Sequence, residues 1–437
     1  MSFDLPVLPE GWEYSSLETC ARSNSISYGV VQPGSPAMDG IPMVRVNNFR
    51  DTRIDLSETM KIAPEIEAKY GRTRLTGGEV LLTLVGSVGQ VAVVPSALKG
   101  FNVARAVCVI HPLPHVSAEW IAICLRSPLS QHLLNSRANT TVQTTINLKD
   151  VRALPIPLPP EAERRKITRL VSALDDRIAL LRASNATLEA IAQAMFKSWF
   201  VDFDPVHAKQ QGRAPEGMSE TTAALFPDSF EESELGLVPR GWTVSRVEDV
   251  AVKVGMGPFG SNIKVSTFVE QGVPVISGQH LRGTLMEDLS FNFVTEAHAE
   301  KLKNSCVGAG DVVFTHAGNI GQVSLIHSDA LFDKYVLSQR QFFLRCNKEL
   351  MYPEWMIYFF RSPIGQHLLL ANASQVGVPS IARPVTYLRS IQFVLPPLNL
   401  LHQFAEIADC LHRQEIPNPN PHHPPRYAAP PFNVWEN

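Results

Sequence analysis

Apolar and polar positions along this chain follow two periods, and the longer one gives the clearest prediction. Residues 161–200 contain no glycine or proline and repeat apolar side chains at alternating steps of four and three, which is typical of a coiled-coil helix. We therefore predict one long coiled-coil helix over 161–200; a solitary helix packed on its own domain is the alternative. The seam, with one polar member, consists of Ile167, Val171, Leu174, Ile178, Leu181, Asn185, Leu188, Ala192, Met195 and Trp199.

Two shorter patterns predict the elements of a folded domain. The segment "VLLTLVGSVGQVAVVP" from Val80 places two β-branched, apolar runs around a Gly-x-x-Gly turn, which indicates a strand, a turn and a strand. In "EWIAICLRSPLSQHLL", from Glu119, apolar residues recur at helical spacing, and Ser127 precedes a proline where a new helix begins. This stretch predicts one helix, a sharp break and a second helix.

These patterns occur twice in the chain. "RSPLSQHLL" at 126–134 shares seven of nine residues with "RSPIGQHLL" at 361–369, and further matched pairs follow in the same order at offsets of 230 to 237 residues. A period this long indicates a duplicated domain rather than a solenoid. We interpret the repeated stretch as scaffold. The alternative is a ligand contact by Gln131, His132, Gln366 and His367.

The duplication and the long helix together predict an α+β fold. It comprises two duplicated globular domains of mixed β-sheet and helices, separated by the coiled-coil helix, with a second, truncated helix after the second domain. The prolines that follow that second helix prevent its continuation. The predicted boundaries are 1–160 for the first domain, 161–200 for the helix, 201–239 for a linker that is acidic from 214, 240–397 for the second domain, 398–413 for a short distal helix and 414–437 for a proline-rich disordered tail.

Composition and charge narrow the class of protein. The chain of 437 residues is 45% hydrophobic and 19% charged, and it shows neither a signal peptide nor a membrane span. We therefore expect a cytoplasmic protein of at least two domains. The net charge of −3 is unevenly distributed. Residues 214–239 hold six acids and no base, whereas residues 1–213 and 240–397 have net charges of +3 and +2. This balance permits a nucleic-acid partner without requiring one.

Several short motifs are typical of catalysis or metal binding, but the sequence around them does not support those functions. "GMGPFG", from Gly255, matches the dinucleotide fingerprint, but no helix of good propensity and no ribose-binding acid follow it. Asp202 and Asp204 lack a third metal ligand, and "VDFDP" is better interpreted as a junction that packs the helix against a domain. The cysteines form no C-x-x-C pair, and methyltransferase and P-loop motifs are missing. We predict no intrinsic enzyme and no metal site.

The central part of the chain resembles a known family. "LEAIAQAMFKSWFVDFDPV" (188–206), followed by "FPDSFEESELGLVPRGW" (226–242), resembles the central conserved region of the specificity subunits of type I restriction-modification systems. The resemblance implies a non-catalytic subunit in which two target-recognition domains bind a bipartite double-stranded DNA sequence. It also implies that the helices dock modification (methyltransferase) subunits and help to recruit the restriction subunit. No cofactor is expected in this chain, and S-adenosylmethionine and ATP are expected only in the partner subunits.

Candidate DNA contacts lie where the two copies diverge. Residues 43–55 and 275–288 differ strongly although each follows a Gly-x-Pro, and their arginine and amide side chains have the chemistry that reads guanine and adenine edges. The glycine turns could approach a phosphate. Solvated polar loops and plain hairpin turns are the alternatives. The candidates are Arg45, Asn47, Asn48, Arg50, Gln90, Arg105, Lys264, Ser277, Gln279, His280, Arg282, Gln322 and Arg340, of which Arg105 and Arg340 recur in both copies.

The truncated second helix changes what we expect of the coiled-coil seam. Without most of its intrachain partner, the seam from Leu181 to Trp199 would need a partner subunit or self-association to cover it. The alternatives to a working specificity subunit are therefore a coiled-coil assembly protein and a truncated, partly inactive specificity subunit. The predicted docking residues are Leu174, Ile178, Leu181, Asn185, Leu188, Met195 and Trp199.

Overall fold

The chain folds into two compact units of helices and sheets, as the predicted α+β class requires. The computed structural model describes residues 5–50, 52–137, 145–260, 262–288, 290–374 and 377–414. The units are Met1–Ala179 and Leu180–Asn437. The predicted disordered tail, from 415 onward, lies outside the described residues.

The first unit is built on a four-stranded sheet in the order Ser27–Tyr28, Val107–Ile110, Val80–Thr83 and Val91–Val93. Its inner strands are buried on both faces, because Val80 and Leu82 pack with the helix Ala118–Arg126 while Leu81 packs on the opposite side. The unit's other strands are Glu13–Ser16, Ile41–Val44, Phe49–Arg50, Arg53–Ile54, Met60–Ile62, Asn102–Val103 and Pro155–Leu158, and its other helices before the long one are Leu17–Cys20, Pro64–Glu67, Pro128–Ser136 and Leu148–Arg152.

The second unit repeats this plan. Its four-stranded sheet has the order Ala251–Met256, Gln341–Cys346, Asp311–Thr315 and Val323–Leu325, and Val312 and Val313 again point to opposite cores. The unit's other strands are Phe230–Ser233, Gly236–Pro239, Thr243–Arg246, Val273–Ile276, Asn292–Val294, Cys306–Val307, Tyr335–Leu337, Ala373–Ser374, Ser380–Ile381 and Gln392–Leu395, and its helices are Asp204–Gln210, Glu220–Ala224, Glu296–Lys301, Pro353–Arg361, Pro363–Leu370, Pro384–Ser390 and Leu398–Gln414.

The pairing of strands confirms the duplication. In each unit, the strand that begins directly after the glycine of a Gly-x-Pro pairs in parallel with a short strand that precedes the second strand of the four-stranded sheet. These pairs are Ile41–Val44 with Asn102–Val103, and Val273–Ile276 with Tyr335–Leu337. The predicted strand–turn–strand units are present as antiparallel pairs. The predicted break between two helices is also present, since Ser127 and Ser362 each accept a hydrogen bond as the N-cap residue of the second helix.

The long helix runs from Glu161 to Phe200 without interruption, as its sequence predicts. Its first half is attached to the first unit through Ile167, which packs on that unit's core, and through an ion pair of 3.0 Å between Asp175 and Arg126. In its last turns, Ala192 and Phe196 are buried in the core of the second unit. We call Glu161–Phe200 the central helix.

The distal helix Leu398–Gln414 corrects the prediction that the end of the seam is uncovered. Phe404 of this helix packs against Phe196, Trp199 and Phe200, with ring centroids 5.6, 6.3 and 5.3 Å apart. Aromatic side chains of the helix Pro353–Arg361 complete the enclosure. Phe404 and Trp355 therefore cover this end of the central helix, even though the distal helix has only 17 residues.

The segment predicted as a linker is folded. Residues 201–239 contain the helices Asp204–Gln210 and Glu220–Ala224 and a hairpin that pairs Phe230–Ser233 with Gly236–Pro239. Phe203 packs against Trp242 and Phe230, at centroid distances of 5.6 and 6.1 Å, which confirms the interpretation of "VDFDP" as a packing junction. In the part of the chain that the structure describes, no helix combines the length and apolarity needed to cross a membrane.

Candidate nucleic-acid interface

The repeated nine-residue stretch clamps the glycine turn in each unit. The side-chain amide of Gln131 donates hydrogen bonds to the carbonyl oxygens of Gly89 (2.9 Å) and Leu125 (2.8 Å). Gln366 does the same to Gly321 (3.0 Å) and Phe360 (2.6 Å). Each glutamine therefore ties the start of one helix to the strand–turn–strand unit and to the end of the preceding helix, which supports the scaffold interpretation.

The glycines beneath these clamps have no room for a side chain. Gly89 and Gly321 have φ angles of 88° and 86°, where L-residues are strained. A Cβ atom would also come within 2.5 Å of Oε1 of Gln131 and within 2.8 Å of Oε1 of Gln366. These two glycines serve the clamp, and His132 and His367, one residue beyond each glutamine, are exposed.

Gln90 and Gln322, which follow these turns, face inward in part. Gln322 Oε1 accepts a hydrogen bond of 3.3 Å from Thr315, and it lies 3.0 Å from where a Cβ atom on Gly278 would be. Gln90 Oε1 is buried and has no hydrogen-bond partner. Both side chains are half-buried, so Gln322 is better placed to support the loop that contains Gly278 than to contact DNA itself.

In the first candidate loop, two neighbouring asparagines have different environments, one buried and one exposed. Asn48 is 2% exposed; its Oδ1 accepts from the backbone N–H of Arg45 (2.9 Å), and its Nδ2 donates to the carbonyls of Asp55 and Glu58 (3.0 and 2.9 Å). The prediction that Asn48 contacts DNA is wrong, because all its polar atoms hold the loop closed. Asn47 is exposed.

The second candidate loop uses a histidine for the same purpose. His280 is 1% exposed, its ring stacks on Phe291 at a centroid distance of 4.4 Å, and its Nδ1 accepts from the backbone N–H of Ser277 at 2.9 Å. Burial lowers the pKa of His280, which favours the neutral ring, and its Nε2 lies 3.4 Å from the carbonyl oxygen of Ser290. The prediction that His280 contacts DNA is wrong for the same reason as for Asn48.

The exposed positions of the two loops remain candidates for contact. Arg50 and Arg282 are exposed, as are Asn47 and Gln279. Arg50 forms a solvent-exposed ion pair with Asp55, with a nitrogen–oxygen distance of 3.7 Å. The side-chain amide of Gln279 donates a hydrogen bond of 3.1 Å to the carbonyl oxygen of Ser290. Arg45 and Ser277 are half-buried, and Arg45 Nε has no hydrogen-bond partner.

Arg105 and Arg340 do not occupy equivalent positions. Val107 lies opposite Thr83 in the first sheet, and Gln341 lies opposite Thr315 in the second. Arg105 therefore lies two residues before Val107, whereas Arg340 lies one residue before the equivalent Gln341. Both arginines are exposed, as is Lys264, and within the described ranges none of the three makes an ion pair. They remain candidates for phosphate contact, but not as a conserved pair.

The part of the central helix that belongs to the first unit has an open apolar face. Leu170 and Leu174, one turn apart, are 64% and 56% exposed. The predicted docking residues Ile178, Leu181, Asn185 and Leu188 are half-buried. The prediction that Trp199 docks another subunit is corrected, because Trp199 is 5% exposed within the core of the second unit and its side chain is not available to a partner. Met195 packs against the same core.

Comparison with known proteins confirms the predicted resemblance. Residues 35–190 match the family model described as the type I restriction modification DNA specificity domain. The chain is 33% identical over 199 residues to the type I restriction enzyme EcoBI specificity subunit of Escherichia coli, covering 43% of this chain and 42% of that one. It is 21% identical over 352 residues to the MjaIX specificity subunit of Methanocaldococcus jannaschii, covering 78% and 72%.

A solved structure shares the fold. The crystal structure of a type I restriction-modification system S subunit from M. genitalium superposes with a TM-score of 0.51 at 13% identity, over 95% of this chain and 93% of that chain. At this identity the likeness shows the architecture alone. The match to the EcoBI subunit spans less than half of that protein's length.

Proposed function

We propose that this chain, which carries a type I restriction-modification DNA specificity domain, recognises double-stranded DNA as the specificity subunit of such a system. Each of its two units would bind one half of a bipartite target. The chemistry on DNA would be carried out by partner subunits, to which S-adenosylmethionine and ATP would bind. This chain would supply recognition and docking without catalysis of its own.

This proposal depends on one observation: the two units share one architecture but expose different side chains in their candidate loops. Both units close their candidate loop with a buried residue that accepts from a backbone N–H, Asn48 in one and His280 in the other. At the exposed positions the units differ, with Asn47 in the first and Gln279 in the second. Two domains of one fold with different exposed amides suit two different half-sites, since amide side chains hydrogen-bond base edges.

The open face of the central helix supports docking of other subunits. Leu170 and Leu174 are more than half exposed on a helix that is anchored at both ends. Exposed apolar side chains in a row on one helix indicate a protein partner. The same face favours the second candidate function, a coiled-coil assembly protein whose units do not bind DNA.

Binding to DNA across a salt series tests the proposal and separates the two candidates. The full chain, alone and with the modification subunits, would be titrated into a fluorescent duplex of random sequence between about 50 and 200 mM salt. We expect the logarithm of the binding constant to fall linearly with the logarithm of salt concentration, because bound phosphates release counterions. No binding under either condition would contradict the proposal and favour the assembly protein.

A further inference from the structure

Phe259 is an aromatic side chain that the structure leaves in solvent. It is 73% exposed, in the loop between the strands Ala251–Met256 and Val273–Ile276. Burying a phenylalanine normally stabilises a protein, although single exposed apolar residues are common on protein surfaces. The loop of Phe259, however, is held in place on both sides.

The described residues on either side of position 261 in this loop make close contacts. At Gly257, a Cβ atom would lie 1.8 Å from the carbonyl oxygen of Ser338, so the two backbones touch. The Asn262 amide donates to the carbonyl of Phe259 at 2.8 Å. The Gln339 amide donates to the carbonyls of Gly260 and Ile263. An exposed aromatic ring is therefore presented on a braced loop.

One exposed cation lies within this loop and a second follows the residue that contacts it. Gln339, which holds Gly260 and Ile263, immediately precedes Arg340, and Ile263 immediately precedes Lys264. Both cations are exposed, and within the described part of the chain neither has an ionic partner. Each of the two cations therefore follows directly on a residue of the Gln339 contact, and both side chains are open to solvent.

The first unit presents an apolar side chain from the corresponding loop. Gly29 and Gly257 donate their N–H to equivalent strand positions, Val107 and Gln341, and a Cβ atom on Gly29 would lie 2.0 Å from the carbonyl of Val103. Between this glycine and the strand Ile41–Val44, Met38 is 89% exposed. Both loops therefore expose a large apolar residue, although Met38 stands nine residues after Gly29 and Phe259 only two after Gly257.

We propose that Phe259 is a wedge that inserts between adjacent base pairs of double-stranded DNA while Arg340 and Lys264 hold the flanking phosphates. Proteins that deform DNA insert apolar side chains such as phenylalanine and methionine at base steps and unstack them. This inference rests on the proposed function and deepens it. It assigns part of the recognition to the deformability of the duplex rather than to base edges.

The test compares Phe259→Ala with the unsubstituted chain on a duplex enriched by the full chain from a random pool. One adenine at a time would be replaced by 2-aminopurine, whose fluorescence rises when a base step is unstacked. The conservative variant is Phe259→Leu. The control is Leu237→Ala, which removes a side chain of similar exposure, 65%, from the hairpin Phe230–Pro239 of the same unit.

We expect the unsubstituted chain and Phe259→Leu to raise fluorescence at one position, and Phe259→Ala to lose that rise and to bind about tenfold more weakly. The melting temperature of each variant should match that of the unsubstituted chain, because Phe259 is exposed. If Phe259→Ala matched the unsubstituted chain in affinity and fluorescence, the wedge would be overturned, but the proposed function would stand. No DNA binding by the unsubstituted chain would overturn the proposed function and the wedge with it.

Discussion

The side-chain amide of Gln366 donates a hydrogen bond of 3.0 Å to the carbonyl oxygen of Gly321, 45 residues earlier in the chain. Gln131 makes the same bond to Gly89 in the other unit, at 2.9 Å. Because each glycine has a positive φ angle and its carbonyl accepts from the glutamine amide, the glutamine and the glycine form one structural unit. This relationship explains why "QHLL" is kept in both copies while the neighbouring loops differ.

The Gln366 clamp can be tested by its removal. Gln366→Ala leaves the carbonyls of Gly321 and Phe360 without this donor, and we expect a loss of about 1–3 kcal/mol in the free energy of unfolding. His367→Ala is the matched control, since His367 is exposed on the same helix and should change stability by less than about 0.5 kcal/mol. Urea unfolding measures both variants, and equal losses for the two would contradict the clamp.

The two asparagines of the first candidate loop should separate stability from DNA binding. Asn48→Ala leaves the N–H of Arg45 and two carbonyls unpaired, so we expect a loss of about 2–3 kcal/mol in the free energy of unfolding. Asn47→Ala should keep the stability and weaken binding to an enriched duplex. Thermal melting and fluorescence anisotropy measure the two effects, and an unstable Asn47→Ala would refute the assignment.

His412 should make the second unit sensitive to acid. Burial lowers the pKa of His412 from 6.5 to about 4, and the nearby Glu189 opposes this shift only in part. Between these two pKa values the unfolded state binds a proton that the folded state does not, so stability is lost as the pH falls from about 6.5 toward 4. The contribution is at most about 3 kcal/mol.

Comparison with His412→Gln isolates this contribution from those of other histidines. We expect the difference in unfolding free energy between pH 7.5 and pH 5 to be smaller in His412→Gln than in the unsubstituted chain. Because the substitution disturbs the hydrogen bond of 2.8 Å between His412 Nε2 and the hydroxyl of Tyr358, we expect some loss of stability at both pH values. An unchanged dependence on pH would show that His412 does not titrate as described.

The open face of the central helix should be needed for assembly rather than for folding. Leu174→Ser replaces a side chain that is 56% exposed, so we expect unfolding to change by less than about 1 kcal/mol. Association with the modification subunits, measured by sedimentation velocity, should weaken. Ala173→Ser, at the adjacent exposed position, serves as the control, and equal association of both variants would argue against docking at Leu174.

Regular elements were predictable because their periods are local. The central helix begins and ends at the predicted residues, 161 and 200, since no glycine or proline interrupts its seam. The helix break at Ser127-Pro128 followed from the cap and the proline. The duplication was visible because buried strands and the glutamine clamp tolerate little change.

The roles of individual loop residues were not predictable, because they depend on contacts made across the fold. Asn48 and His280 have side chains suited to base recognition, yet each turns inward to accept a backbone N–H. Trp199 fits the heptad, but apart from its neighbour Phe200 the aromatic side chains that pack against it lie 27 or more residues away. Phe259 was overlooked because sequence patterns treat an isolated phenylalanine as a core residue.

Selection of DNA from a random pool tests most directly the claim that two units bind two half-sites. The full chain should enrich duplexes with two conserved blocks separated by unselected positions. A variant with Gln279→Ala and Arg282→Ala should relax one block, and the matched pair Asn47→Ala and Arg50→Ala should relax the other. A single conserved block, or relaxation of both blocks by one variant, would contradict the account.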